Sequence, residues 1–357
     1  MIQRISKYRD ALMGIAILWI MLHHSNLNLP NPLFGIKRLG YSGVDIFMFV
    51  SGFGCAFSLS KNRDMVGFMK RRCRRLYPHY IPVLLIFLLI NYPNVSFTEW
   101  LRNVFGNITG FSFWSMTGNQ FNWYILAILL FYIFTPLFFE TINKYDNKGL
   151  FVLLFLSFVI GFCCVPAEQL VIAVSRFPIY ILGVAAGVKL SAGKEIEDSC
   201  TTKVLIIVGG IIGFIMLILL YKYQDIIPTD LYNVFYPCIL TTIAIVYLMC
   251  KLFEMIEKNI IGRKVIYVLQ SLGKISFDLY LLHLVFFRKI DAIFEKTYDN
   301  TLPFPFSIKN CCIWIIIIAF IIITSYIYNK SISILVNKIS KKNYSWKTDY
   351  SSSTKDN

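Results

Sequence analysis

Long apolar blocks separated by short polar segments dominate the chain. The blocks at 204–220 and 313–323 carry no charged residue and exceed the apolar stripe of an amphipathic soluble helix. About 20 apolar residues in a helix cross a bilayer. The pattern predicts ten membrane-spanning helices, at 11–28, 40–59, 77–92, 120–142, 149–165, 170–190, 203–222, 230–252, 266–288 and 308–330. We expect an all-α polytopic membrane helix bundle.

The polar segments between these spans are too short for a soluble domain. We therefore expect one membrane-embedded domain at 1–340, followed by a disordered cytoplasmic tail at 341–357. The basic residues before the first apolar block resemble the start of a signal peptide. No small-x-small cleavage site follows them, so the block is predicted to be a retained helix.

Composition and charge agree with a membrane protein. Hydrophobic residues make up 57% of the chain and charged residues 15%, against about 25% charged in soluble domains. The net charge of +15 does not indicate a nucleic-acid partner, because the positive residues lie between apolar blocks. Of the 35 Lys and Arg residues, 26 fall on one predicted side and eight on the other, with Arg176 inside a helix. This bias predicts cytoplasmic termini, a multi-pass protein of the cell (plasma or inner) membrane, and the lipid bilayer as a partner.

The nine cysteines show neither metal-type nor disulfide-type spacing, so no metal site is predicted. Ionisable groups are more informative, because placing one in hydrocarbon costs about 2.5–3.5 kcal/mol. The informative ones within the predicted spans are His23, His24, Asp45, Arg176, Asp278 and His283. A rise of about 1.5 Å per residue puts His24, Asp45 and His283 at one depth near the outer surface.

An Asp beside a His fixes the ring tautomer and leaves one nitrogen free to accept a proton. We therefore predict that Asp45 orients His24 as a general base, with His283 nearby. The alternative is that both histidines form ordinary interfacial hydrogen bonds and that Asp45 caps its helix.

A run of arginines precedes the predicted helix at 77–92. Topology alone would put positive charge there, but Arg also offers the forked donors that bind phosphate. Arg72 and Arg75 share a face if the helix begins early. The nearby Gly52 and Gly54 suit close helix packing or the approach of a thin ligand arm. Trp123 fits an interfacial aromatic belt or a sugar-stacking platform.

Read in order, these segments resemble the acyltransferase-3 family of integral membrane O-acyltransferases. The resembling segments are RDALMGIAIL at 9–18, HHS at 23–25, GVDIF at 43–47, SGF at 51–53, RRCRRLYP at 71–78 and LGKISFDLYLLH at 272–283. The resemblance covers nearly the whole chain and agrees with ten helices. It implies transfer of an acyl group, usually acetyl from acetyl-CoA, to a carbohydrate hydroxyl. The family's first-helix Arg falls at Met13 here, so Arg9, one turn earlier, is the expected substitute. A glutamate pair that some members carry near Trp123 is absent.

Residue pattern and resemblance together suggest three groups of site residues. The catalytic group is His24, Asp45 and His283; the donor-binding group is Arg9, Arg72, Arg75 and Ser51; the acceptor-binding group is Trp123 and Arg176. We expect no bound cofactor, acetyl-CoA or another acyl-CoA as donor substrate, and a cell-envelope or exported polysaccharide as acceptor.

In the predicted mechanism His24 deprotonates the acceptor hydroxyl, which attacks the thioester. A covalent acyl-histidine is the less economical route, and His283 or Arg176 is expected to stabilise the oxyanion. The alternative function is a transporter or flippase for an acyl donor or glycolipid, although no matched broken helices are evident. A structural membrane subunit is a third interpretation, which the set of motifs disfavours.

Overall fold

A computed structural model describes residues 1–116, 121–164, 168–193, 199–223, 235–297 and 306–353. Within these ranges the regular structure is helical and no strand occurs. The helices are α1 (Ile2–His24), α2 (Leu33–Arg38), α3 (Ser42–Lys61), α4 (Met65–Asn91), α5 (Phe97–Thr109), α6 (Phe111–Trp114), α7 (Trp123–Cys163), α8 (Glu168–Val174), α9 (Phe177–Ser191), α10 (Cys200–Lys222), α11 (Phe235–Ile256), α12 (Ile260–Lys274), α13 (Ser276–Thr297) and α14 (Ile308–Ser353), with a 3-10 turn at Leu39–Tyr41.

The multi-pass architecture is confirmed. Among the described residues, seven helices are long and apolar enough to cross a membrane, or eight if a bent helix pair forms one span. The first helix, α1, is not among the seven, because its first turns carry charged side chains. The total of ten spans, the cytoplasmic termini and the division at residue 340 stay predictions. Residues 120, 165 and 230–234 of the predicted spans lie outside the described ranges.

Helix α7 contains two of the predicted spans. Its 41 residues would measure about 60 Å if straight, twice the thickness of the hydrocarbon core. At Asp146 the backbone is non-helical, with φ 48°. A Cβ added at Gly149 would lie 2.5 Å from the carbonyl oxygen of Thr141, so the chain folds back tightly there. The fold-back agrees with separate helices predicted at 120–142 and 149–165.

One helix predicted as a single span is broken. The span predicted at 266–288 consists of α12 and α13, which meet at a 71° bend at Ile275. Gly273 packs directly on the carbonyl of Asp10, so α12 lies against α1 before the chain turns. The span predicted at 170–190 is confirmed as one apolar stretch, Leu170–Ser191, with a short turn at 175–176 between α8 and α9. Pro178 lies in the first turn of α9 and cannot donate a helical hydrogen bond, which favours this turn before it.

Helix α4 begins twelve residues earlier than predicted. The side chain of Asp64 caps it by accepting a hydrogen bond from the amide of Gly67. The arginine run is therefore helical, which puts Arg72 and Arg75 on one face as the early-start hypothesis required.

Helices α1, α3 and α9 form the centre of the bundle. Gly52 lies against the backbone of Tyr180, and Gly183 lies against the backbone of Phe49, so α3 and α9 touch along their main chains. Gly52 therefore serves packing, one of its two predicted roles.

Candidate active site

Two histidines from distant parts of the chain meet where α1 ends. The Nδ1 atom of His24 and the Nε2 atom of His283 are 2.8 Å apart, and the rings stack with planes 13° from parallel. His283 is fully buried on α13, whereas His24 is exposed. The structure thus brings two of the predicted catalytic residues into contact. We call them the histidine dyad.

Hydrogen bonds define where the protons of the dyad lie. The Nδ1 atom of His283 is 3.0 Å from the carbonyl oxygen of Leu279. A carbonyl only accepts, so this nitrogen carries the proton and the Nε2 atom of the neutral ring is an acceptor. His24 then donates from Nδ1 to His283, which leaves the Nε2 lone pair of His24 free on the exposed side. A histidine in this state is prepared to take a proton.

Asp45 does not make the predicted contact with His24. Its Oδ1 atom is 3.3 Å from the Nε atom of Arg176, and both side chains are almost completely buried. The start of α9 brings Arg176 to the first turn of α3, because α3 and α9 pack so closely. A buried carboxylate requires a counter-charge, and Arg176 supplies it. The orienting partner of His24 is His283 instead.

Of the two predicted acceptor residues, Arg176 belongs to this ion pair and Trp123 lies beside it. The guanidinium carbon of Arg176 lies 4.8 Å from the ring centroid of Trp123, a cation–π contact. Arg176 Nη1 also donates to the carbonyl of Ile172 at 2.5 Å. Trp123 is half-buried at the start of α7. Asp45, Arg176 and Trp123 thus form one continuous cluster.

A cavity of about 330 Å³ lies among α1, α3, α4, α7, α12 and α13. It contains all four predicted donor-binding residues, and we call it the arginine cavity. Its lining includes Arg9, Asp10, Met13, Ser51, Gly54, Arg72, Arg75, Tyr124, Lys274, Phe277 and Tyr280. Met13 and Arg9 therefore share one cavity, as expected if Arg9 substitutes for an arginine at position 13. Lys274 is a further cation that the sequence did not single out. The Oδ1 atom of Asp10 lies 3.6 Å from Arg9 Nε and offsets part of the positive charge.

Arg72 is held by aromatic rings. Its guanidinium carbon lies 5.1 Å from the centroid of Phe68 and 5.6 Å from that of Tyr132, and its Nη2 donates to the carbonyl of Gly54 at 3.5 Å. Its buried Nε has no hydrogen-bond partner among the described residues. Arg75 is exposed. A Cβ at Gly54 would lie 3.4 Å from Arg9 Nη1, an ordinary van der Waals contact, so Gly54 and Arg9 are neighbours in the cavity.

Tyr280 connects the arginine cavity to the histidine dyad. It lines the cavity, and its ring centroid is 5.5 Å from that of His283 and 4.8 Å from that of Tyr124. One aromatic ring therefore separates the cavity from His283. Sequence reasoning missed Tyr280, because a buried aromatic residue in an apolar helix carries no distinguishing pattern.

A hydrogen-bonded pair formed by His79 and Asp278 was also missed by the sequence analysis. The Nδ1 atom of His79 is 2.7 Å from Asp278 Oδ1, and Asn329 Nδ2 is 2.6 Å from Asp278 Oδ2. These residues connect α4, α13 and α14. Asp278 was recognised as an intramembrane charge without a partner. His79 could have been singled out from the sequence, because it is an ionisable residue inside the predicted span at 77–92.

The comparison with family models agrees with this arrangement. The model of the acyltransferase-3 family, described as "Acyltransferase domain", matches residues 7–330 and so includes every predicted site residue. No curated protein and no solved structure matches the chain. With nine-tenths of its length matched and several apolar helices long enough to span a bilayer, the chain belongs to the acyltransferase-3 family and is a multi-pass membrane acyltransferase.

Proposed function

We propose that this protein transfers an acyl group, acetyl in the first instance, from cytoplasmic acyl-CoA to a hydroxyl of a cell-envelope or exported polysaccharide. The observation that carries the proposal is the arginine cavity, whose cationic lining leads through Tyr280 to the histidine dyad. Coenzyme A is a polyanion at one end and a thioester at the other. The site has its parts in the matching order, with cations at the end that would bind the phosphates and a base at the end that would meet the thioester.

The donor binds with its phosphates against Arg72 and Arg75. The unpartnered Nε of Arg72 supports this assignment, because a buried guanidinium N–H without an acceptor is costly until a ligand supplies one. Arg9 and Lys274 add positive charge to the same cavity. The thioester arm then extends past Ser51 toward Tyr280.

In the chemical step, the acceptor hydroxyl gives its proton to His24 Nε2 while its oxygen bonds to the thioester carbon. The C–S bond breaks and coenzyme A leaves as the thiolate. His283 accepts the Nδ1 proton of His24 in a hydrogen bond and so holds the ring in place. Both nitrogens of His283 are engaged, so we assign it to positioning rather than to the oxyanion. Trp123, which is half-buried, binds the acceptor sugar, and the enclosed Arg176 holds that ring through its cation–π contact.

Transfer is tested with purified protein in liposomes, acetyl-labelled acetyl-CoA and glycan extract. Wild type is expected to put label into glycan, and His24→Ala is expected to transfer none above background. His23→Ala is the matched control, because the His23 ring lies beside His24 but hydrogen-bonds the Lys37 carbonyl and not the dyad.

Full transfer by His24→Ala would refute the mechanism. Donor binding is measured separately with labelled CoA, comparing Arg72→Ala with Arg71→Ala, an exposed arginine outside the cavity. Passage of intact donor across the membrane without acylated glycan would refute the enzyme and favour a transporter.

A further inference from the structure

The pair formed by His79 and Asp278 lies one helical turn from the arginine cavity. Arg72, Arg75 and His79 follow each other at intervals of three and four residues, so they share one face of α4. His79 stands about 6 Å beyond Arg75 along the helix. Phe277, which lines the cavity, contacts the His79 ring with centroids 6.3 Å apart.

One side of the His79 ring is fully held. Its Nδ1 bonds to Asp278, Asn329 bonds to the other oxygen of that carboxylate, and the hydroxyl of Tyr328 donates to the backbone carbonyl of His79 at 2.7 Å. These contacts brace α4 between Pro78 and Pro82, where the helix lacks two backbone donors. The orientation of the ring is therefore determined by three helices.

The other side of the ring has no assigned partner. His79 Nε2 makes no hydrogen bond to any described residue, and the side chain stays 16% exposed. A purely structural role needs only the Nδ1 donor, and the side-chain amide of an asparagine would serve equally well. A fixed ring with an unused polar atom, beside the wall of a cavity, is the arrangement of a ligand contact.

We infer that His79 is a donor-binding residue whose Nε2 hydrogen-bonds an amide of the pantetheine arm of acyl-CoA, beyond the phosphates held by Arg72 and Arg75. The inference rests on the proposed function. Its position fits the arm rather than the nucleotide, since His79 follows the two arginines along the same face. Amides offer both a donor and an acceptor, so the contact forms in either protonation state of the ring.

The test separates the two sides of the ring by substitution. In His79→Asn the amide nitrogen takes about the place of Nδ1 and keeps the Asp278 contact, but nothing reaches as far as Nε2. We expect its Kd for acetyl-CoA to rise about threefold to tenfold, the effect of one hydrogen bond. Its Kd for 3′,5′-ADP, which has the nucleotide end and no arm, and its unfolding midpoint are expected to match wild type.

Asn329→Ala is the control for a purely structural role. It removes a contact to Asp278 and leaves His79 Nε2 untouched, so it is expected to lower the unfolding midpoint without a selective effect on acetyl-CoA. Equal acetyl-CoA affinity of His79→Asn and wild type would overturn the inference, and so would parallel weakening for both ligands. If wild type binds neither ligand, or Arg72→Ala binds both normally, the proposed donor site itself fails.

Discussion

The histidine dyad joins an exposed histidine to a fully buried one that holds it in place, whereas the arginine cavity is lined by cations that are exposed or half-buried. At the dyad, His283 is fully enclosed and both of its nitrogens are bonded. In the cavity, Arg75 is exposed and Arg72 retains an unpartnered Nε. Proton transfer depends on the direction of one lone pair, while phosphate binding depends on summed charge. A change at the dyad should therefore act on kcat, and a change in the cavity on KM.

The buried Asp45–Arg176 pair gives the largest expected effect. Arg176→Met leaves the carboxylate buried without its counter-charge, and we expect a loss of about 3–5 kcal/mol in the free energy of unfolding. The double variant Asp45→Leu with Arg176→Met removes both charges and should recover most of that loss. Unfolding in detergent or bicelles measures both. A double variant as unstable as the single one would show that the loss does not come from the unpaired carboxylate.

The orienting role of His283 is tested by two substitutions of different chemistry. His283→Leu removes the acceptor for His24 Nδ1, and we expect kcat to fall about 10-fold to 100-fold as the His24 proton loses its fixed place. In His283→Gln the amide oxygen can accept at about the position of Nε2, so kcat should recover in part. The KM for acetyl-CoA should stay constant in both variants. Equal kcat for the two variants would show that acceptor chemistry at this position is irrelevant.

Substitutions of Arg72 and Arg75 test the arginine cavity through the KM for acetyl-CoA rather than through kcat. Arg72→Ala should raise the KM for acetyl-CoA about 10-fold, because a charge-assisted contact is lost, with kcat nearly unchanged. Arg75→Ala should cost less, because its side chain is exposed and screened by salt. Steady-state kinetics at low and high ionic strength separate the two. A fall in kcat without a change in KM would place these arginines in the chemistry instead.

Much of this site could be predicted because membrane sequences make polar residues conspicuous. His24, His283, Arg72 and Arg75 each stand out against apolar or topological background, and the structure brings them to two adjoining places. The pairing of Asp45 could not be predicted, because it depends on α3 and α9 packing across more than 100 residues of chain. The bend at Ile275 was hidden for a different reason. Gly273, Lys274 and Ser276 interrupt the apolar pattern there, but the whole segment at 266–288 has the length of one span, and only contact with α1 reveals the turn.

The smallest expected effect concerns Met13, which stands where the family has an arginine. Met13 and Arg9 line the same cavity, so an arginine at either position can direct charge into it. Arg9→Ala should raise the KM for acetyl-CoA about twofold to fivefold, the value of one partly screened charge. Adding Met13→Arg to that variant should restore KM, because the family position then carries the cation. Steady-state kinetics of the single and double variants measure both effects. A KM that stays high in the double variant would mean that Arg9 acts through its own geometry rather than as a replacement charge. Donor binding in the cavity would then depend, like proton transfer at the dyad, on the direction of individual side chains more than on their summed charge.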